Sequence, residues 1–150
     1  MIHLECAVPV RASRGVTWRV LEGKVRDPER HLSRIQACEV EERGEDELLR
    51  RVRFDDGTEV TERVVLVPES EILFQFLEHP KFEGEIRHVL FEAEGGLWLS
   101  FLFRGETRAG GELSREELAQ VRDGFARAVR LVAAEAERTE QAGQTALEPT

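Results

Sequence analysis

The sequence predicts a single α+β domain, in which a curved seven-stranded antiparallel sheet wraps around one long C-terminal helix. Three observations favour this class. Seven segments have the character of strands, and short turn sequences separate most of them. An apolar stripe at helical spacing follows the last strand. The length of 150 residues is typical of one domain.

The first strand is predicted over residues 2–10, where apolar side chains alternate with polar ones. A short helical segment that contains Trp18 follows it. Asp27 is a typical helix N-cap, and Pro28 suits the first helical position. We therefore expect a second short helix that ends near Ser33.

Six further strands are predicted to form a meander, since their spacing is regular and their turns are short. The strongest turn signal is Asp55-Asp56-Gly57, because an Asp-Gly pair favours a tight hairpin. A sheet of this size twists and curls, so it can enclose a helix on one face. The six predicted segments are residues 35–42, 47–54, 58–67, 71–78, 84–94 and 96–104.

A long amphipathic helix is predicted over residues 114–139. Ser114 and Glu117 have the spacing of a capping box, which marks its start. We expect the domain to span residues 1–140 and the small, polar residues 141–150 to form a flexible tail. The apolar stripe repeats at intervals of three and four residues, at Leu118, Val121, Phe125, Ala128 and Val132.

Gly124 lies in the middle of this helix, where glycine costs about 1 kcal/mol relative to alanine. Two interpretations stay open. The loss of helix propensity is simply tolerated, or the helix passes close to a strand or a ligand at this point.

Composition and charge exclude several classes of protein. The net charge of -9 argues against a nucleic-acid partner, since phosphate binding needs clustered Lys and Arg. No apolar run is long enough to span a membrane, and the N-terminal segment lacks the pattern of a secretory signal. Cys6 and Cys38 form neither a disulfide framework nor a Cys-x-x-Cys pair, so we expect reduced thiols in a cytoplasmic protein. We expect no metal and no cofactor, since the four histidines are scattered and no phosphate-binding loop occurs.

The order of elements resembles the helix-grip fold of the START and birch-pollen-allergen (SRPBCC) superfamily. Several strings are similar to its AtaL-like family, which is largely of unknown function, and the similarity runs from residue 2 to residue 104. They are HLECAVPV, WRVLEGKVRDPERHL, IQACEV and RRVRF-DDG-TEVTERVVLVPES. The resemblance implies the helix-grip fold. It implies function only broadly, because the superfamily includes lipid carriers, aromatic polyketide cyclases, hormone receptors and co-chaperones.

Such a fold leaves a space between the concave face of the sheet and the long helix, and we expect a ligand-binding cavity there. Some polar residues lie two positions from apolar residues of the same strand, so they share a face with them. They are candidates for the cavity interior: Glu62, Gln75 and His88. The expected apolar lining is Trp18, Phe74, Phe76, Val89, Phe91, Phe101 and Phe125.

Two positions in the fold stay open for Glu62. Inside the cavity, with Arg63 or Arg51 nearby, it would anchor a ligand that apolar contacts otherwise hold. On the solvent face it would pair across strands with Arg51 or Arg53. His88 likewise belongs either to the cavity or to the surface or a satisfied core. The basic run of Arg50, Arg51 and Arg53 is interpreted as a solvated edge with acidic partners.

Three functions remain. The first is a binding protein for a hydrophobic or aromatic small molecule. The second is a polyketide cyclase or aromatase, in which polar cavity residues would orient a chain and move protons. The third is a ligand-free interaction protein of the co-chaperone type, which a filled cavity and an exposed apolar patch would favour. The sequence also leaves open a homodimer through the sheet edge or the C-terminal helix.

Overall fold

The computed structural model describes residues 1–28 and 34–147, with side chains to residue 144. Seven antiparallel strands form one curved sheet, and the first strand pairs with the last, so the order is β1-β7-β6-β5-β4-β3-β2. The strands are β1 (Ile2–Val10), β2 (Ile35–Glu42), β3 (Glu47–Phe54), β4 (Glu59–Val67), β5 (Glu71–Glu78), β6 (Phe82–Ala93) and β7 (Gly96–Thr107).

The last two strands are longer than the sequence predicts. A strand start was expected at residue 84 and a strand end at residue 104, whereas β6 begins at Phe82 and β7 ends at Thr107. Glycines interrupt the apolar alternation here, and Gly84 pairs with Gly105 across the two strands. A Cβ on Gly84 would lie 2.2 Å from the carbonyl oxygen of Arg104, so the two strands can approach this closely only without side chains.

Helix α1 (Arg14–Arg26) follows β1. The Ser13 hydroxyl caps its start by accepting a hydrogen bond from the Val16 amide at 3.2 Å. Trp18, Leu21 and Val25 are buried, so one face of α1 packs into the core. The second short helix, predicted from Asp27 to near Ser33, lies mostly outside the described residues.

Helix α2 (Arg115–Leu147) is the long C-terminal helix. The predicted capping box is present: the Ser114 amide donates to Glu117 Oε1 at 3.1 Å, and the Glu117 amide donates to Ser114 Oγ at 3.0 Å. The helix continues to Leu147 and does not end near residue 139, because the alanines and glutamines of the expected tail favour helix. None of the described helices is long and apolar enough to cross a membrane.

The core lies between the concave face of the sheet, α1 and α2. Val64, Ile72 and Leu99 of the sheet and Val129 and Ala136 of α2 are essentially inaccessible to solvent. The opposite, convex face carries ion pairs such as Arg63–Glu47 and Arg87–Glu71. The predicted helix-grip architecture, with the sheet curved around the last helix, is confirmed.

Candidate ligand-binding cavity

The sheet and α2 do not meet along their whole length, and a cavity of about 610 Å³ separates them. Its walls come from α1, α2 and strands β3 to β7, and one of its lining residues, Leu131, is exposed to solvent. The cavity is lined by Leu21, Lys24, Val25, Arg50, Phe54, Glu62, Phe74, Ile86, His88, Phe101, Gln120, Val121, Gly124, Phe125, Ala128, Leu131 and Val132.

Strand register brings the aromatic part of this wall together. Phe74 is directly opposite Ile86, and His88 is directly opposite Phe101. Because side chains alternate between the two faces of a strand, these four share the concave face. Phe125 contributes from α2.

Two charged residues of opposite sign are buried in this wall. Arg50 and Glu62 are register partners on β3 and β4, and they are only 8% and 6% exposed. Arg50 donates from Nη2 and Nε to Glu62 Oε1, at 2.8 Å and 3.1 Å. Its Nη1 donates to the carbonyl oxygens of Lys24 and Val25 at 3.2 Å and 3.5 Å. The negative end of the α1 dipole therefore also stabilises the guanidinium.

The pair, which lines the cavity, leaves some of its hydrogen-bonding capacity unused. Both bonds from Arg50 end on Glu62 Oε1, and within the described chain Oε2 has no hydrogen-bond partner. Arg50 Nη2 carries two N–H groups, and only one of them donates to Glu62. In the described part of the chain, every fully buried side-chain nitrogen or oxygen has a hydrogen-bond partner. Because Oε2 has none, it is not fully buried.

His88 is a further polar residue of the wall. Its ring stacks on Phe101 with centroids 3.6 Å apart and is tilted against Phe74 at 4.7 Å. Burial, assisted by the Arg50 charge, lowers the pKa of His88 to about 3. The imidazole is therefore neutral near pH 7. Among the described residues it forms no hydrogen bond, so its N–H donor and its acceptor nitrogen are both available.

Gly124 lies on the α2 side of the cavity. A Cβ built at this position would meet no heavy atom within 4 Å. The helix therefore does not pass close to a strand here. The missing side chain instead adds to the open space of the cavity.

Five of the predicted site residues line the cavity: Glu62, Phe74, His88, Phe101 and Phe125. Four others do not. Trp18 belongs to α1 and is buried in the hydrophobic core. Phe76 is on the concave face but packs against His79 and Phe103, at 4.8 Å and 6.2 Å between ring centroids.

The prediction that Val89 and Phe91 line the cavity is wrong. Each alternates with His88 along β6, so both point to the convex face, where Phe91 stacks with Trp98 at 6.4 Å. Gln75 is exposed on the same convex face, beside Arg63.

The interpretation of the arginine run as solvated is wrong at Arg50. Arg51 and Arg53 are exposed and pair with Glu39 and Glu59, as expected, but β3 lies between β2 and β4 and is not an edge strand. Arg50, by contrast, is buried, and it is the partner of Glu62 in place of the expected Arg63 or Arg51. The signal was available, because Arg50 shares strand parity with the apolar Leu48 and Val52.

Metal binding finds no support in the described part of the chain, where no three His, Cys, Asp or Glu side chains cluster around a common point.

Residues 10–141 match the model of the AtaL family, described as acetylaranotin biosynthesis cluster protein L. The chain belongs to the AtaL family. The predicted family is thereby confirmed. Among proteins with curated descriptions, none matches this AtaL-family sequence.

Solved structures with the same fold include polyketide-type aromatase/cyclases and Ara h 8.0201. The Zhui aromatase/cyclase from Streptomyces sp. R1128 is 23% identical, with a TM-score of 0.63 over 91% of this chain and 94% of its own. The di-domain aromatase/cyclase StfQ of the steffimycin pathway is 12% identical, with a TM-score of 0.70 over 97% of this chain and 52% of its own. Ara h 8.0201 is 14% identical, with a TM-score of 0.63 over 90% of this chain and 97% of its own. At these identities the likeness concerns the fold.

Proposed function

We propose that this AtaL-family protein binds a hydrophobic or aromatic small molecule in the cavity between the sheet and α2. The observation that carries the proposal is the cavity itself, whose volume of about 610 Å³ lies in the range of small-molecule sites. Its wall is mostly aliphatic and aromatic, with five polar side chains: Lys24, Arg50, Glu62, His88 and Gln120. This combination of apolar surface and a few oriented polar groups is typical of ligand pockets.

Apolar burial would supply most of the affinity. A ring system that buries about 200 Å² gains about 5 kcal/mol at 25 cal/mol per Å². Phe74, Phe101 and Phe125 offer ring faces and edges, which favours planar aromatic ligands. The cost of association offsets much of this gain, so we expect affinities near the micromolar range for simple aromatic probes.

The binding test is a fluorescence titration with N-phenyl-1-naphthylamine, an uncharged probe that brightens in apolar sites. We expect saturable binding of one probe per chain, and native mass spectrometry should show a single adduct. Absence of saturable binding, together with no adduct after incubation with a mixture of aromatic compounds and lipids, would overturn the proposal.

A second candidate is an enzyme of the cyclase or aromatase kind. It is supported by the convergence of Arg50, Glu62 and His88 in one cavity and by the fold shared with aromatase/cyclases. A histidine with a pKa of about 3 is a weak base at neutral pH, so His88 would orient a substrate by hydrogen bonding. Any turnover of a polyketide-like chain that is unchanged in Glu62→Gln would count against this candidate.

The open cavity argues against a ligand-free interaction protein of the co-chaperone type, for which we expected a filled core. We place the protein in the cytoplasm as part of the proposal, which the thiol form of Cys6 and Cys38 supports. The homodimer stays a prediction.

A further inference from the structure

The charged side chains of the cavity wall are all paired with opposite charges. Three of the lining residues carry a charge near pH 7: Lys24, Arg50 and Glu62. Arg50 is paired with Glu62 at 2.8 Å, and Lys24 Nζ is paired with Glu135 Oε2 at 3.0 Å. A ligand that enters the cavity therefore meets no net charge.

The unused hydrogen-bonding positions of the Arg50–Glu62 pair are one acceptor and one donor. Glu62 Oε2 can only accept, while the second N–H of Arg50 Nη2 can only donate. A hydroxyl group satisfies both kinds of position at once, since it donates one hydrogen bond and accepts others. The neutral His88 imidazole can serve as donor or acceptor to the same ligand.

A carboxylate fits these positions poorly. It cannot donate to Glu62 Oε2, and it would place a second negative charge beside the Glu62 carboxylate. The attraction of Arg50 would not compensate for this, because Glu62 already neutralises the guanidinium. Like charges in a poorly solvated site repel strongly, so the ligand would lose its hydration without gaining a partner.

We propose that the Arg50–Glu62 pair makes the cavity selective for uncharged aromatic molecules that bear a hydroxyl group, over carboxylates of the same ring system. The proposal rests on the proposed ligand-binding function and names its ligand class. Glu62 is the residue that sets the selectivity, because its charge decides whether Arg50 is available to an anion.

The test compares three probes of one shape by isothermal titration calorimetry near neutral pH: naphthalene, 2-naphthol and 2-naphthoate. The wild type should bind 2-naphthol at least about tenfold more tightly than 2-naphthoate, and more tightly than naphthalene. Glu62→Gln keeps the size of the side chain but leaves Arg50 uncompensated. In this variant the affinity for 2-naphthoate, relative to that for 2-naphthol, should rise by at least about tenfold.

The matched control is Glu59→Gln, the same change on the same strand. The Glu59 side chain is 49% exposed, pairs with Arg53 and does not line the cavity. This variant should retain the wild-type preference. Naphthalene carries no polar group, so its unchanged binding shows that the cavity of Glu62→Gln is intact.

A second measurement needs no variant. Lowering the pH toward the ligand's own pKa converts 2-naphthoate to the uncharged acid, so its apparent affinity for the wild type should rise up to about tenfold per pH unit. Binding of 2-naphthol should stay constant over the same range. A wild type that binds 2-naphthoate as tightly as 2-naphthol overturns the selectivity alone, as does a preference that neither Glu62→Gln nor pH changes. If the wild type binds none of the three probes, the proposed function itself fails.

Discussion

Filling the cavity from the α2 side should stabilise the protein and weaken ligand binding at the same time. Gly124 is the position for this change, because a Cβ there meets no heavy atom within 4 Å. Gly124→Ala gains helix propensity worth about 1 kcal/mol. In a chain of this size that corresponds to a rise in Tm of about 2–4 °C.

Gly124→Leu places a larger side chain at the same position. Its larger side chain would extend into the cavity and contact the apolar wall, and each buried methylene would add about 0.8 kcal/mol. We expect a Tm at least as high as that of Gly124→Ala. The ligand loses the same space, so N-phenyl-1-naphthylamine should bind at least about tenfold more weakly.

The assay pairs differential scanning calorimetry with the fluorescence titration. The control is Gly143→Ala, since Gly143 is also on α2 with open space at its Cβ but does not line the cavity. That variant should bind the probe as the wild type does. A lower Tm for Gly124→Leu would show that the space is not available. Unchanged probe binding in the same variant would show that the ligand lies elsewhere.

Two further predictions concern the polar wall. The pKa of His88 is about 3 in the folded protein against 6.5 ordinarily, so the unfolded chain binds this proton first and stability falls as the pH drops from about 6.5 toward 3. His88→Phe should remove that part of the acid sensitivity, up to about 1.4 kcal/mol per pH unit in urea unfolding. Arg50→Met should cost about 3–5 kcal/mol, because it leaves the Glu62 carboxylate buried without its partner. The exposed neighbour offers a control: Arg51→Met should change stability by less than about 0.5 kcal/mol.

Either prediction can fail in a specific way. If His88→Phe and the wild type lose stability in parallel on acidification, His88 is not the buried neutral group described here. If Arg50→Met and Arg51→Met are equally stable, the Arg50–Glu62 pair does not hold the cavity wall together.

The sequence predicts the fold well because the elements carry local signals. Alternation marks the strands, the Asp-Gly turn marks a hairpin, and the capping box at Ser114 marks the start of α2. Boundaries are predicted less well where those signals stop. The β6–β7 extension depends on the close Gly84–Gly105 pair, which is a tertiary contact without a local pattern.

The candidate site is predicted in part. Neighbouring residues on a strand face opposite sides of the sheet, so alternation alone separates His88 from Val89. The same alternation excludes Val89 and Phe91 from the cavity. Parity also places Arg50 with buried residues, but a run of three arginines suggested a solvated edge. The choice between Arg50 and Arg51 as the partner of Glu62 depends on the register of β3 and β4, which the sequence does not specify.

The central claim is that an aromatic ligand occupies the space between the concave face and α2. Intermolecular nuclear Overhauser effects between 2-naphthol and the isotope-labelled protein test it most directly. We predict contacts from the naphthol ring to Phe74 and Ile86 on the sheet and to Ala128 on α2. Saturable binding with contacts only to convex-face residues such as Val89 and Phe91 would contradict it.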